Sequence, residues 1–168
     1  MVEYTKTVEV MEKPYFQRTE INDAIKKIIE GGEMNRILQV YSNVCGNSNL
    51  AHLITSFGLI YDIPLSLLYG IIEIESGFNP AAVHKNGDGT IDRGLMGLNS
   101  RTFSRYSKEQ LYDIETNLRL GCEHLMLLKN KYKVWGKAVI RYNGRFEKGA
   151  DEYLVKVMEQ LLEVKLLL

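Results

Sequence analysis

An all-α fold is what this chain of 168 residues predicts. Apolar residues recur at three- and four-residue intervals along most of its length. The breaks between those runs carry helix-stopping and helix-starting residues. Beyond the first nineteen positions, no segment alternates apolar and polar residues long enough to make a persuasive strand.

The elements follow in order. Residues 1 to about 19 are polar and weakly alternating, with Val8 and Val10 against Thr7 and Glu9 and a break at Pro14, so an extended arm is expected. From Asn22 to about Val44, Ile25, Ile29, Met34, Ile37, Leu38 and Tyr41 keep roughly helical spacing around Gly31-Gly32, which suggests two helical pieces joined by a turn. Ser48 or Asn49 can cap a helix running to about Tyr61 through Leu53, Ile54, Phe57 and Ile60. Asp62-Ile63-Pro64 restarts the chain, because Pro64 suits a first helical position where an N–H would go unused. The helix from Leu65 to about Glu75 is apolar almost all round, so it should be buried on most sides. Residues 77 to 94 hold four glycines, one proline and two aspartates and are expected to form a long loop, a kind of segment that usually serves function. Asp113 can cap a helix with Leu118, Cys122, Leu125 and Leu128 on one face, ending near Tyr132. A short helix from Gly136 or Lys137 to about Tyr142, a turn at Asn143-Gly144, and a last helix from about Ala150 to Leu166 complete the chain.

Composition narrows the function classes. Lys plus Arg equals Asp plus Glu at 21 each, which gives no support for a nucleic-acid or anionic-surface partner. The length suits one domain that needs no covalent staples. Cys45 and Cys122 have no CxxC partner and read as two buried thiols, or one disulfide, rather than metal ligands, and no cofactor is expected. No run of 18 apolar residues occurs, so no transmembrane segment is expected.

Glu75 is the candidate catalytic residue. It stands at the end of a mostly buried helix, where desolvation and the helix dipole both favour the protonated form that a general acid needs near neutral pH. Glu73 lies two residues earlier, about 200° around the helix, and cannot share the site. The segment from His84 to Asp92 partly mimics a calcium loop. His84 at its first position and Leu95 at its twelfth lack the oxygen ligands that loop requires, so no metal is assigned. Asp92 is expected to fix the loop through backbone N–H groups. His52, His84 and His124 have no ligand spacing.

Three blocks occur in order: Glu75-Ser76-Gly77-Phe78-Asn79-Pro80, then Gly94-Leu95-Met96-Gly97-Leu98, then Tyr142-Asn143-Gly144. Together they resemble the catalytic core of the SLT-type lytic transglycosylases, in which Glu-Ser-x-Phe-x-Pro, Gly-Leu-Met-Gln-Ile or -Leu, and Tyr-Asn follow one another. Ile63-Pro64 with Leu67-Leu68 is similar to the family's lead-in, and Asn117 and Gly121 resemble its Asn-x3-Gly helix. The resemblance covers roughly residues 47 to 160. It implies a lysozyme-like (goose-type/SLT) helical domain over 47–168, with 1–46 as an N-terminal extension.

The same resemblance implies cleavage of the MurNAc–GlcNAc β-1,4 bond of peptidoglycan without water, with Glu75 as acid and then base. It places Ser76, Phe78, Met96, Gly97, Tyr142 and Asn143 at the substrate. It also implies a periplasmic or envelope location, whereas Met1 to Lys6 lack the basic-then-apolar pattern of a signal peptide, so a trimmed chain with an added Met1 is expected. Gly97 departs from the pattern, standing where the family usually has a glutamine that is expected to contact the glycan. If Gly97 has negative φ, Gly97→Gln should improve binding or turnover; if it is left-handed, the glycine is a backbone requirement of this loop and the substitution should lower stability instead. Two other readings of the scaffold are a lysozyme-like hydrolase in which Asp92 or Asp88 positions water, and a non-catalytic peptidoglycan-binding module.

Overall fold

A computed structural model describes residues 32–144 and 155–158. The expected N-terminal arm, the first part of the Asn22–Val44 helical segment and most of the expected last helix lie outside these residues. Helix α1 spans Gly32–Cys45, α2 Ser48–Ile60 and α3 Leu65–Ser76. Strands β1 (Val83–Lys85), β2 (Ile91–Arg93) and β3 (Leu98–Asn99) follow, then α4 (Lys108–Tyr112), α5 (Ile114–Tyr132) and α6 (Trp135–Tyr142). The expected all-α class describes the chain's bulk, since helices form the core and the strands are a small appendage.

Helix α2 begins one residue ahead of expectation. Asn47 is its cap, its side-chain oxygen accepting the Leu50 N–H at 3.0 Å. Asp113 caps α5 as expected, accepting the Thr116 N–H at 2.9 Å. A cap of this kind is worth about 1 kcal/mol. Pro64 precedes α3 as its cap rather than occupying the first helical position.

Helix α3 is the buried centre. Leu67, Leu68, Tyr69, Ile71 and Ile72 are all nearly inaccessible, and each buried aliphatic side chain of this size contributes roughly 1.5–3 kcal/mol. Leu118, Cys122, Leu125 and Leu128 of α5 line the same core, as their spacing suggests. Gly58 lets α2 turn tightly into α3, since a Cβ there would overlap the Leu65 side chain. Tyr41 of α1 stacks on Tyr69 with ring centroids 3.8 Å apart, and the Tyr69 hydroxyl donates to Ala51 O at 2.7 Å. Residues 155–158 form a helical turn that buries Val157.

The sheet draws its first two strands from the segment expected to be loop, and β3 lies just beyond that segment. Its order is β1-β2-β3, antiparallel throughout, with His84 opposite Asp92 and Asp92 opposite Asn99. Side chains hold it more than length does. Asp92 accepts from the Asn86 and Asn99 side-chain amides at 2.8 and 2.6 Å, and Ser100 Oγ accepts the Ile91 N–H at 2.9 Å.

Candidate active site

Helix α3 delivers Glu75 in its last turn and stops abruptly. Gly77 is left-handed at φ 58°, and its N–H closes on Glu73 O at 2.8 Å. Phe78 is also left-handed, at φ 61°. That conformation costs a non-glycine residue ~1–2 kcal/mol, and burial of the Phe78 ring against Tyr69, 6.1 Å between centroids, offsets it. Two left-handed residues in succession turn the chain away from the helix axis and leave Glu75 and Ser76 at its tip. Glu75 itself is half-buried.

Opposite stands the turn from Arg93 to Leu98. Gly94 and Gly97 both have positive φ, 74° and 58°, and the Gly97 N–H donates to Gly94 O at 3.2 Å. Asn117, nearly fully buried on α5, clamps this turn. Its Oδ1 accepts the Met96 N–H at 2.8 Å, while its Nδ2 donates to Arg93 O at 3.0 Å and Leu111 O at 2.7 Å. Gly94 lies so close to Asn117 that a Cβ would overlap the amide and approach Leu111 O to 2.7 Å. The Tyr142 hydroxyl donates to Met96 O at 2.7 Å and fixes the turn from α6. Met96 is fully buried and packs against Gly121, where an added Cβ would lie 2.8 Å from its own. Met96 is therefore behind the site as core packing, not on its surface.

At Gly97 the condition for a favourable glutamine is not met, and the left-handed alternative holds. Its φ is positive, and a Cβ there would overlap Glu75 Oε2 and stand 3.2 Å from Cδ. A glutamine would be strained and would collide with the Glu75 carboxylate, so Gly97→Gln is not a route to better binding.

The remaining expected site residues divide. Tyr142 belongs with Glu75: burial first, then the charges of Glu75, Cys122 and Asp92, push its phenol well above the ordinary range. The hydroxyl therefore stays protonated and keeps donating to Met96 O. Ser76 Oγ donates to Ile72 O at 2.9 Å, the local backbone bond of a helix-end serine. Asn143 caps α6, and its buried Oδ1 has no partner among the described residues. Asp92 braces the hairpin through side-chain amides rather than the backbone N–H groups expected. The neighbouring Asp88 does accept a backbone N–H, from Thr90 at 3.0 Å, and pairs with Arg101 at 2.8 Å. Among the described residues, no cluster of three or more His, Cys, Asp or Glu could hold a metal. The two cysteines are free thiols.

Sequence reading passed over two contributors. Asn117 entered only as part of a motif, because its three bonds reach 6, 21 and 24 residues along the chain. His124 has no ligand spacing in the sequence, yet its ring lies 5.6 Å from Tyr142 and meets Phe103 edge-on at 5.7 Å. Burial pushes its pKa down to about 4. A histidine free in the unfolded chain titrates near 6.5, so the unfolded state takes up a proton first as pH falls. Stability from this group is complete above pH 6.5 and declines down to about pH 4. At pH 5 the loss should reach ~2 kcal/mol relative to pH 7. Urea unfolding at both values should show it, and His124→Gln should flatten the slope. An unchanged slope would mean that His124 is not desolvated.

The family model described as the transglycosylase SLT domain matches residues 52–153. Protein IpgF of Shigella flexneri is 46% identical over 56 residues, which cover 30% of this chain and 37% of that protein. Membrane-bound lytic murein transglycosylase C of Mannheimia succiniciproducens is 36% identical over 80 residues, 43% of this chain and 22% of that protein. Invasion protein IagB of Salmonella typhimurium is 31% identical over 119 residues, 63% of this chain and 72% of that protein. The first two matches thus span well under half the length of those relatives. No solved structure matches. The matched region holds α3, the glycine turn, α5 and α6, the elements that assemble the site around Glu75, and the chain belongs to the SLT transglycosylase family.

Proposed function

We propose that the protein is a glycosidic-bond lyase that cuts the MurNAc–GlcNAc β-1,4 bond of peptidoglycan glycan strands, in the cell envelope or periplasm. Glu75 protonates the bridging oxygen as the C1–O bond breaks. The resulting carboxylate then takes the proton of the MurNAc C6 hydroxyl as that oxygen bonds to C1. The proton returns to Glu75, no water is consumed, and the product ends in 1,6-anhydro-MurNAc. One carboxyl serves both steps because the nucleophile belongs to the substrate, whereas most glycoside hydrolases need two.

The observation that supports this reading best is the setting of Glu75. It stands at a helix end against a backbone turn that Asn117 and Tyr142 hold from behind. Asp92, a candidate second carboxylate for hydrolysis, has each oxygen taken by an amide donor, so orienting water would compete with holding the hairpin. Digestion of purified peptidoglycan should yield muropeptides lighter by one water than hydrolytic products. Mass spectrometry reads the difference directly, and reducing MurNAc ends would replace this mechanism by hydrolysis with Asp92 or Asp88 assisting.

A further inference from the structure

We infer that Gly97 is the seat of the Glu75 carboxylate, so that the missing side chain at 97 sets where the acid stands. This rests on the reading of Glu75 as the acid. Glu75 approaches Gly97 along its whole side chain: a Cβ at 97 would overlap Oε2, lie 3.2 Å from Cδ and 3.4 Å from the Glu75 Cβ. Neither backbone can withdraw easily. On one side Gly77 closes α3 on Glu73 O. On the other, Met96 is bonded at its N–H by Asn117 and at its carbonyl by Tyr142, and Leu98 is paired with Arg93 in the sheet. What can move is the outer end of the Glu75 side chain.

That asymmetry separates stability from chemistry. A Cβ at 97 would displace the Glu75 carboxylate, and here the displaced group is the reacting one. A misplacement of about 1 Å at a reacting centre can cost ~10²-fold in rate. Position 97 is thus a positioning residue that acts through Glu75, not a contact for the glycan.

Gly97→Ala tests this, with Gly46→Ala as its control. Gly46 has φ 65°, nothing within 4 Å of an added Cβ, and lies at the end of α1. Both substitutions place alanine in a left-handed conformation, and each should lower Tm by roughly 2–4 °C. Gly46→Ala should keep wild-type turnover on peptidoglycan, whereas Gly97→Ala should lose ~10²-fold in kcat with KM unchanged. Gly97→Asn, a residue that tolerates positive φ, should show the same loss if the alanine variant fails to fold. In uniformly 13C-glutamate-labelled protein, the Glu75 Cδ resonance, assigned by its absence in Glu75→Gln, should shift in Gly97→Asn. A raised KM with unchanged kcat would put position 97 against the sugar and overturn the seat, as would wild-type kinetics with an unmoved resonance. Wild-type activity in Glu75→Gln would instead remove the acid assignment itself.

Discussion

Glu75→Gln is expected to lower peptidoglycan cleavage by ~10²–10⁴-fold, the usual worth of a positioned acid–base group. The amide has the size and shape of the carboxyl, so it keeps the packing against Gly97 and the close of α3. It can neither release a proton to the leaving oxygen nor recover one from the attacking hydroxyl. The fold should therefore survive, with a cooperative thermal transition within a few degrees of wild type, while muropeptide release over time nearly stops. Glu73→Gln is the matched comparison: the same chemical change one position from Ile74, about 200° around the helix, should leave turnover nearly untouched. Comparable muropeptide release from the Glu75 variant and the wild type would end the assignment.

The second large effect is on stability. Asn117→Leu keeps the branching and heavy-atom count of the side chain but abandons the Met96 N–H and the Arg93 and Leu111 carbonyls in the interior. A buried polar group left without a partner costs about 1–3 kcal/mol, and three are affected, so a loss of about 3 kcal/mol or more is expected. For a protein of this size that lowers Tm by roughly 6–12 °C. Asn117→Asp should do nearly as badly for a different reason. It retains the acceptor for Met96 but turns a second carboxylate oxygen toward two carbonyls that need a donor. Thermal and urea unfolding of both variants would check this. A Leu variant as stable as wild type would mean the turn holds its shape without the clamp.

What the chain disclosed in advance follows the range of the forces involved. Helices α3 and α5 were legible because their burial repeats within the helix, residue by residue, as did the Asp113 cap, whose bond spans three residues. The sheet was not. Strands of three, three and two residues are too short to show alternation, and their cohesion comes from Asp92, Asn86 and Asn99 meeting across the hairpin. Helix α4 carries a complete capping box, Ser107 with Gln110, that a search for longer apolar periods passes over. Glu75 and Tyr142 could be singled out by motif, yet the sign of φ at Gly97 could not, because glycine occupies both sides of the map with similar ease. That single unreadable angle decides between the two expectations at position 97.

The stack of Tyr41 on Tyr69 has a mechanical meaning. A helix is stiff over a few residues, so any rotation of α3 about its axis at Tyr69 reaches Glu75, six positions on, undiminished. Tyr69 is braced on one face by the Tyr41 ring and at its hydroxyl by Ala51 O, with Thr55 3.0 Å away. Tyr41 lies eleven residues ahead of position 52, where the family match begins. The bearing that holds the azimuth of Glu75 thus extends beyond the stretch that carries the family's signature.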